Sequence, residues 1–121
     1  MNKILMIEDE PDQIKLVTLR LEANGYHVLS AVNAQNGIRL AQQEEPDLIL
    51  LDMLLPDMNG LDVAGVLKKD PGVRDIPIIA MTAVGTPDIE QQCIQAGISG
   101  FVRKPYDSQE LLAKIKERLE A

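Results

Sequence analysis

Five side chains that could carry chemistry stand at or just after the ends of short apolar runs: Glu8, Asp9, Asp52, Thr82 and Lys104. A carboxylate at the edge of a hydrophobic core costs stability unless another group pairs with it or uses it. Two like charges ~4 Å apart repel by about 4 kcal/mol at an effective dielectric near 20, so converging carboxylates require a cation. Lys104 could supply one positive charge, and Mg²⁺ is a hard ion that suits carboxylate oxygens.

The remaining residue types narrow the chemistry that these side chains could perform. His27 is the only histidine, which excludes a Ser/His/Asp triad and a histidine-rich metal site. Carboxylates can act as nucleophiles and form aspartyl phosphates. Mg²⁺ and a lysine would neutralise an incoming phosphoryl group, and the Thr82 hydroxyl could donate a hydrogen bond to it. Asp52 is therefore the candidate phosphoryl acceptor.

Five short apolar runs predict strands, and the segments between them have helical periodicity. The predicted strands are Lys3 to Ile7, His27 to Ala31, Leu48 to Asp52, Ile78 to Thr82 and Gly100 to Lys104. The predicted helices are one that stops at Asn24 and Gly25, one near Ala34 to Glu44, one near Gly60 to Lys69, one that starts at Thr86 and Pro87, and one that is capped by Asp107.

Alternating strands and helices indicate a parallel sheet with helices on both faces. Such sheets bind ligands beyond the carboxyl ends of their strands, where the strand order reverses. Four of the five predicted strands bring a polar or charged group to that rim. The second, which ends near Ala31, does not, and we expect it at an edge of the sheet.

Composition and charge exclude several classes of protein. The chain has 121 residues, of which 45% are hydrophobic, and this predicts one domain over residues 1–121. Its net charge of -7, with few clustered cations, opposes direct binding of nucleic acid. No apolar run approaches the ~20 residues of a membrane span. A lone cysteine, Cys93, excludes an intramolecular disulfide and fits a cytoplasmic location.

Four motifs, in order, resemble the receiver domains of two-component response regulators: "IEDE" after the first strand, "DMLLPDMNG" at the third, "MTA" after the fourth and "GFVRKP" at the fifth. The resemblance covers essentially the whole chain. It implies a flavodoxin-like, doubly wound five-stranded parallel sheet with strand order 2-1-3-4-5.

The resemblance also implies a role for each matching residue. Asp52 would be the phosphorylation site, Glu8 and Asp9 the acidic pair for Mg²⁺, and the backbone carbonyl of Leu54 a further metal ligand. Thr82 matches the switch hydroxyl, Phe101 the switch aromatic and Lys104 the lysine that contacts the phosphate. Pro56 and Gly60 match the residues that shape the loop after the acceptor, and Pro105 follows the lysine, where a cis peptide bond is frequent.

The family mechanism would be phosphoryl transfer from a sensor histidine kinase or a histidine phosphotransfer protein to Asp52, followed by a population shift of the face formed by helix four, strand five and helix five. The output would be binding of a downstream protein, as a monomer or a phosphorylation-dependent dimer. Such a protein is mainly a signalling switch and not an enzyme. Phe101 replaces the commoner tyrosine and so lacks its hydroxyl.

Two apolar residues suggest a long-lived phosphorylated state. In the family, the residues two past the acceptor and two past the switch hydroxyl border the path of the hydrolytic water, and here they are Leu54 and Val84. We therefore predict slower self-dephosphorylation than in receivers with polar residues at these positions.

Three alternative functions remain at this point. A Mg²⁺-dependent aspartyl-phosphate phosphatase would carry a second aspartate where Leu54 stands. A flavodoxin-like cofactor binder would have a phosphate cradle after the first strand, where this chain has "EDEPD". A receiver-like interaction module without phosphorylation is the third. The chain ends soon after the last helix, which fits either a stand-alone receiver or a part of a longer regulator.

Overall fold

The computed structural model describes residues 2–83 and 86–120, in which five strands alternate with five helices. The strands are β1 (Lys3–Ile7), β2 (His27–Ala31), β3 (Leu48–Asp52), β4 (Ile78–Thr82) and β5 (Gly100–Arg103). The helices are α1 (Pro11–Ala23), α2 (Ala34–Glu44), α3 (Gly60–Lys69), α4 (Pro87–Gln95) and α5 (Ser108–Leu119). Strand β5 ends one residue earlier than predicted, because Pro105 has no N–H to extend the ladder beyond Lys104.

The five strands form one parallel sheet in the order β2-β1-β3-β4-β5, which confirms the predicted fold class. Strand β2 lies at an edge, as expected for the one predicted strand that brings no polar or charged group to the rim. The strand order reverses between β1 and β3, because β2 is added on one side of β1 and β3 to β5 are added on the other. The carboxyl ends of β1 and β3 therefore flank the position where such sheets bind ligands.

Alternate residues of the central strands face two separate hydrophobic layers. Leu5 and Ile7 of β1 pack with buried residues of α2, α3 and α4. Ile4 and Met6 of the same strand pack with buried residues of α1 and α5. All five residues of β3 and of β4 are buried, as predicted for strands that are covered on both faces.

Polar side chains cap the starts of α2, α3, α4 and α5. The Thr86 hydroxyl accepts a hydrogen bond from the N–H of Ile89 at 3.3 Å, and the Asp107 carboxylate accepts one from Gln109 at 2.8 Å. Both caps were predicted from the sequence. None of the helices in the described residues is long and apolar enough to cross a membrane.

Candidate functional site

Three carboxylates converge at the carboxyl ends of β1 and β3. Glu8 and Asp9 follow β1, Asp52 is the last residue of β3, and one oxygen of each lies within 4.8 Å of the others. Glu8 is only 1% exposed and Asp52 is 6% exposed, whereas Asp9 is open to solvent. The three acids therefore lie close together as predicted, and two of them, Glu8 and Asp52, are buried.

Lys104 provides the positive charge among these acids. Its Nζ donates to Glu8 Oε1 at 2.8 Å and to Asp52 Oδ2 at 3.4 Å, and its side chain is 20% exposed. Burial by itself would lower the pKa of Lys104, but the hydrogen bond to Glu8 and the charge of Asp52 outweigh this effect and raise the pKa above its ordinary value. The ammonium is therefore charged at neutral pH.

Backbone N–H groups bind the carboxylate oxygens that Lys104 does not reach. Asp52 Oδ1 accepts from the N–H of Leu54 at 3.0 Å, and Glu8 Oε2 accepts from the N–H of Glu10 at 3.2 Å. In the described part of the chain, every buried side-chain nitrogen or oxygen atom has a hydrogen-bond partner. Three carboxylates against one ammonium still leave an excess of negative charge, which favours a bound cation.

Thr82 lies beside the acids on the neighbouring strand. It is the last residue of β4, it is 2% exposed, and the register pairs the preceding residue, Met81, with Asp52. Thr82 also borders a cleft of about 240 Å³, whose other lining residues are Met53, Leu54, Asn59, Leu61 and Ile89. The mouth of the site on this side is thus mainly apolar.

Phe101 lies apart from the carboxylates. It pairs with Ala80 in the β4–β5 ladder, two residues before Thr82, and it is partly buried against the core that α2, α3 and α4 cover. The structure therefore brings the four charged residues Glu8, Asp9, Asp52 and Lys104 together. It places Thr82 next to them and Phe101 one strand further along the sheet.

The loop from β3 to α3 closes on itself next to Asp52. Leu54 and Asn59 form an isolated antiparallel bridge, and the N–H of Gly60 donates to the carbonyl of Met53 at 2.9 Å. A Cβ at Gly60 would lie 2.8 Å from Met53 Cα, so the close approach requires glycine. Pro56 is exposed within this loop.

On the opposite side of the site, the peptide bond between Lys104 and Pro105 is cis, as the resemblance implied. The N–H of Lys104 donates to the carbonyl of Thr82 at 2.6 Å, which attaches the start of this segment to β4. Val84, named above beside the water path, lies outside the described residues.

Two residues near the site were not singled out from the sequence. The Asp57 carboxylate accepts from the N–H groups of Ala34 and Gln35, and the Tyr106 hydroxyl donates to Gln13 Oε1 at 3.4 Å. Burial raises the pKa of Tyr106. Both contacts join residues more than 20 positions apart, so local sequence patterns carried no signal for either of them.

The fold and this arrangement of acids and lysine define the class of protein. Residues 4–116 match the family described as the response regulator receiver domain, and the chain belongs to this family. It is 39% identical over 119 residues to the DNA-binding dual master transcriptional regulator RpaA of Synechocystis sp., a match that covers 98% of this chain and 49% of RpaA. It is 34% identical over 116 residues to the polar-differentiation response regulator DivK of Brucella anthropi, a match that covers 96% of this chain and 94% of DivK.

A solved structure agrees with this assignment. The receiver domain of the sensor histidine kinase PA1611 from Pseudomonas aeruginosa, determined with a magnesium ion in its active site cleft, superposes with a TM-score of 0.92 at 28% identity and covers 99% of this chain and 98% of that one. The chain spans about half the length of several of the curated relatives that it matches. Family membership is thus established for the receiver, whereas the activities of the longer relatives belong to those proteins.

Proposed function

We propose that the protein is a phospho-accepting receiver in which Asp52 takes a phosphoryl group from a phosphohistidine on a sensor histidine kinase or a histidine phosphotransfer protein. The observation that supports this most directly is the position of Asp52. Its carboxylate lies at the strand-end rim, in contact with Lys104 and within 4.8 Å of the Glu8 and Asp9 oxygens. Incubation with acetyl phosphate and Mg²⁺ followed by intact mass spectrometry tests the proposal, and an unmodified chain would overturn it.

The donor atoms of the site fit Mg²⁺. Glu8, Asp9 and Asp52 offer only oxygen, which is the ligand that this ion prefers, and the carbonyl of Leu54 would add a fourth oxygen. The P. aeruginosa neighbour is described with magnesium in its active site cleft, which supports the same ion here. When bound, Mg²⁺ offsets the charge of the carboxylates and of the phosphoryl oxygens.

The residues of this chain would divide the work of phosphoryl transfer. An oxygen of Asp52 forms the new P–O bond as the P–N bond of the donor breaks, and the electron pair remains on the imidazole nitrogen. Lys104 already lies between Glu8 and Asp52, so its ammonium is placed to neutralise a phosphoryl oxygen. Thr82, which ends the neighbouring strand β4, would donate a hydrogen bond from its hydroxyl to the same phosphoryl group.

The signal would leave the site through β4 and β5. Thr82 moves toward the phosphoryl oxygens, and Phe101 turns into the space that Thr82 leaves, which shifts the population of the α4, β5 and α5 face toward the state that binds a downstream protein. Pro56, Gly60 and Pro105 shape the two loops on either side of Asp52. This is the behaviour of a switch, since the chain itself gains and later loses the phosphoryl group. A phosphatase of the related aspartyl-phosphate type would need an aspartate at the position of Leu54.

Mg²⁺ should raise the thermal stability of the wild-type protein more than that of Asp52→Asn. The ion relieves repulsion among three carboxylates in the wild type but among only two in the variant, so it should bind the wild type more tightly. Tighter binding gives more stabilisation of the folded state, which reaches about 2.7 kcal/mol when the Mg²⁺ concentration is 100 times Kd. Melting curves at increasing Mg²⁺, with choline chloride at matched ionic strength as control, measure the difference. Equal shifts in the two proteins would contradict a role of Asp52 in holding the metal.

Leu54→Asn should shorten the lifetime of the phosphorylated state. The Leu54 side chain is 63% exposed at the mouth of the site, where an amide can orient an attacking water that an alkyl group excludes. We expect hydrolysis to accelerate severalfold, and further when Val84→Glu is added, because a polar side chain can orient the attacking water. The measurement is the decay of the phosphorylated mass after removal of the donor.

Leu19→Asn is the matched control for this change. Leu19 is 59% exposed on α1 and does not border the cleft beside Thr82, so the same substitution there should leave the decay unchanged. If Leu54→Asn with Val84→Glu loses its phosphoryl group no faster than the parent, the apolar mouth does not control the lifetime.

A further inference from the structure

A carboxylate of the β3–α3 loop caps a helix from another part of the chain. Asp57 Oδ1 accepts from the N–H of Ala34 at 2.8 Å and Asp57 Oδ2 accepts from the N–H of Gln35 at 3.0 Å. These are the first two residues of α2, whose N–H groups have no acceptor within the helix. Each carboxylate oxygen therefore binds one N–H at the positive end of the α2 dipole.

This contact adds to the cap that α2 already has. Asn33 is the N-cap residue, and its side-chain oxygen accepts from the N–H of Asn36 at 2.8 Å. Asn33 and Asp57 thus serve different N–H groups of the first turn. The two hydrogen bonds hold the pKa of Asp57 below its usual range, so the carboxylate is ionised at neutral pH. What distinguishes Asp57 is that it belongs to the loop and not to the helix.

Among the described residues, the other side-chain hydrogen bonds of that loop lie at its two ends. At the start, the N–H of Leu54 donates to Asp52, and at the end Asn59 caps α3 by accepting from Asp62 at 2.9 Å. The bridge between Leu54 and Asn59 joins these ends to each other. Asp57 joins the middle of the loop to a different element.

The start of α2 is itself held against the strand that leads to Glu8. Ala34 is fully buried, and a Cβ at Gly37 would lie 2.6 Å from Ile7 Cδ1, so the helix touches the last residue of β1. The N–H of Glu8 also donates to the carbonyl of Ala31 at 3.0 Å. The Asp57 contact therefore attaches the loop that carries Leu54 to the elements that hold Glu8.

We propose that Asp57 is a positioning residue for the metal site, which fixes the Leu54 carbonyl relative to the Glu8 and Asp9 carboxylates by clamping the β3–α3 loop to the start of α2. The inference rests on the proposed function, because it assigns Leu54 as a metal ligand. Asp57 does not touch the metal in this scheme. It sets the distance between ligands that come from two strands, and ligand geometry of this kind is strongly constrained for Mg²⁺.

The experiment is a titration of the full chain with Mg²⁺ alone, followed by amide NMR, together with a melting curve for each variant. Asp57→Ala should weaken Mg²⁺ affinity by roughly tenfold. Asp57→Asn keeps one acceptor oxygen and should give an intermediate loss, and it serves as the test variant if Asp57→Ala does not fold.

Two controls separate positioning from simple helix stability. Asn33→Ala removes the other cap of the same helix without touching the loop, so it should lower the melting temperature but leave Mg²⁺ affinity unchanged. Asp47→Asn removes a carboxylate that accepts from the N–H of Lys3 at 2.7 Å, at the opposite end of the sheet, and should also leave Mg²⁺ affinity unchanged.

The outcomes distinguish this inference from the proposed function. Wild-type protein that does not bind Mg²⁺ would overturn the proposed metal site and the inference with it. Wild-type binding with unchanged affinity in Asp57→Ala, or an equal loss in Asn33→Ala, would overturn only the positioning role.

Discussion

Asp52→Asn should abolish covalent phosphorylation. With acetyl phosphate and Mg²⁺, the wild type should gain the mass of one phosphoryl group, and the variant should gain none. The asparagine side chain is neutral and has no carboxylate oxygen, so it is not a nucleophile toward phosphorus. Glu8 and Asp9 lie close to Asp52, and they would be labelled instead if proximity to the donor alone decided the site.

The variant should fold at least as well as the parent. Asp52 is 6% exposed, and its carboxylate lies within 4.8 Å of oxygens of Glu8 and Asp9. Removal of one of three negative charges relieves repulsion, although it also weakens the contact with Lys104. An unchanged or higher melting temperature without Mg²⁺ would exclude unfolding as the cause of lost labelling.

Asp47→Asn is the control for the labelling experiment. Asp47 directly precedes β3, whereas Asp52 is its last residue. Asp47 therefore lies at the amino end of the strand, where its carboxylate accepts a hydrogen bond from the N–H of Lys3. It should label like the wild type. Equal labelling of the wild type and Asp52→Asn would assign the modification to another residue, and a wild type that cannot be labelled would favour a receiver-like interaction module without phosphorylation.

The sequence predicted the scaffold well because its elements are specified locally. Strands β1, β3 and β4 are continuous apolar runs, and the helix starts at Thr86 and Asp107 are marked by the side chains that cap them. Alternation of the two element types then limits the topology to a parallel sheet, and the rim of that sheet brings Asp52 to the acids after β1.

Contacts between distant loops were not predictable from the same patterns. The capping of α2 by Asp57 joins residues 22 and 23 positions apart, and nothing in the local spacing of either segment indicates the other. The same holds for the contacts of Lys104 Nζ with Glu8 and Asp52, which lie 96 and 52 positions away in the sequence. Residue types identified the charged groups of the site, whereas the tertiary structure was needed to show which of these groups contact each other.

Lys104→Met should destabilise the protein strongly when no divalent ion is present. The substitution keeps an apolar stem but leaves the carboxylate of Glu8, which is 1% exposed, without the ammonium 2.8 Å away. Removal of one partner from a buried ion pair typically costs about 3–5 kcal/mol. Because Lys104 is 20% exposed and water can replace part of the interaction, we expect a smaller loss, about 2–3 kcal/mol. Urea unfolding in the presence of a chelator measures it.

Lys3→Met is the matched control for the ion pair. Lys3 Nζ lies 3.4 Å from Glu44 Oε1, and both side chains are well exposed, at 34% and 43%. Exposed pairs of this kind contribute about 0–1 kcal/mol, so this variant should unfold nearly as the wild type does. The comparison separates the loss of a buried partner from the general loss of one lysine in a chain with a net charge of -7.

A second background identifies the group that Lys104 stabilises. In Glu8→Gln, the buried carboxylate is already replaced by a neutral amide, so Lys104→Met should cost clearly less there than in the wild type. Mg²⁺ should recover part of the stability of Lys104→Met, because the ion supplies the positive charge that the acids have lost. An equal cost in both backgrounds would mean that the lysine acts through packing of its stem and not through its charge. A smaller cost in the Glu8→Gln background would instead show that the ammonium offsets the negative charge of Glu8. Lys104 would then stabilise the acids of the proposed metal site when no cation is bound.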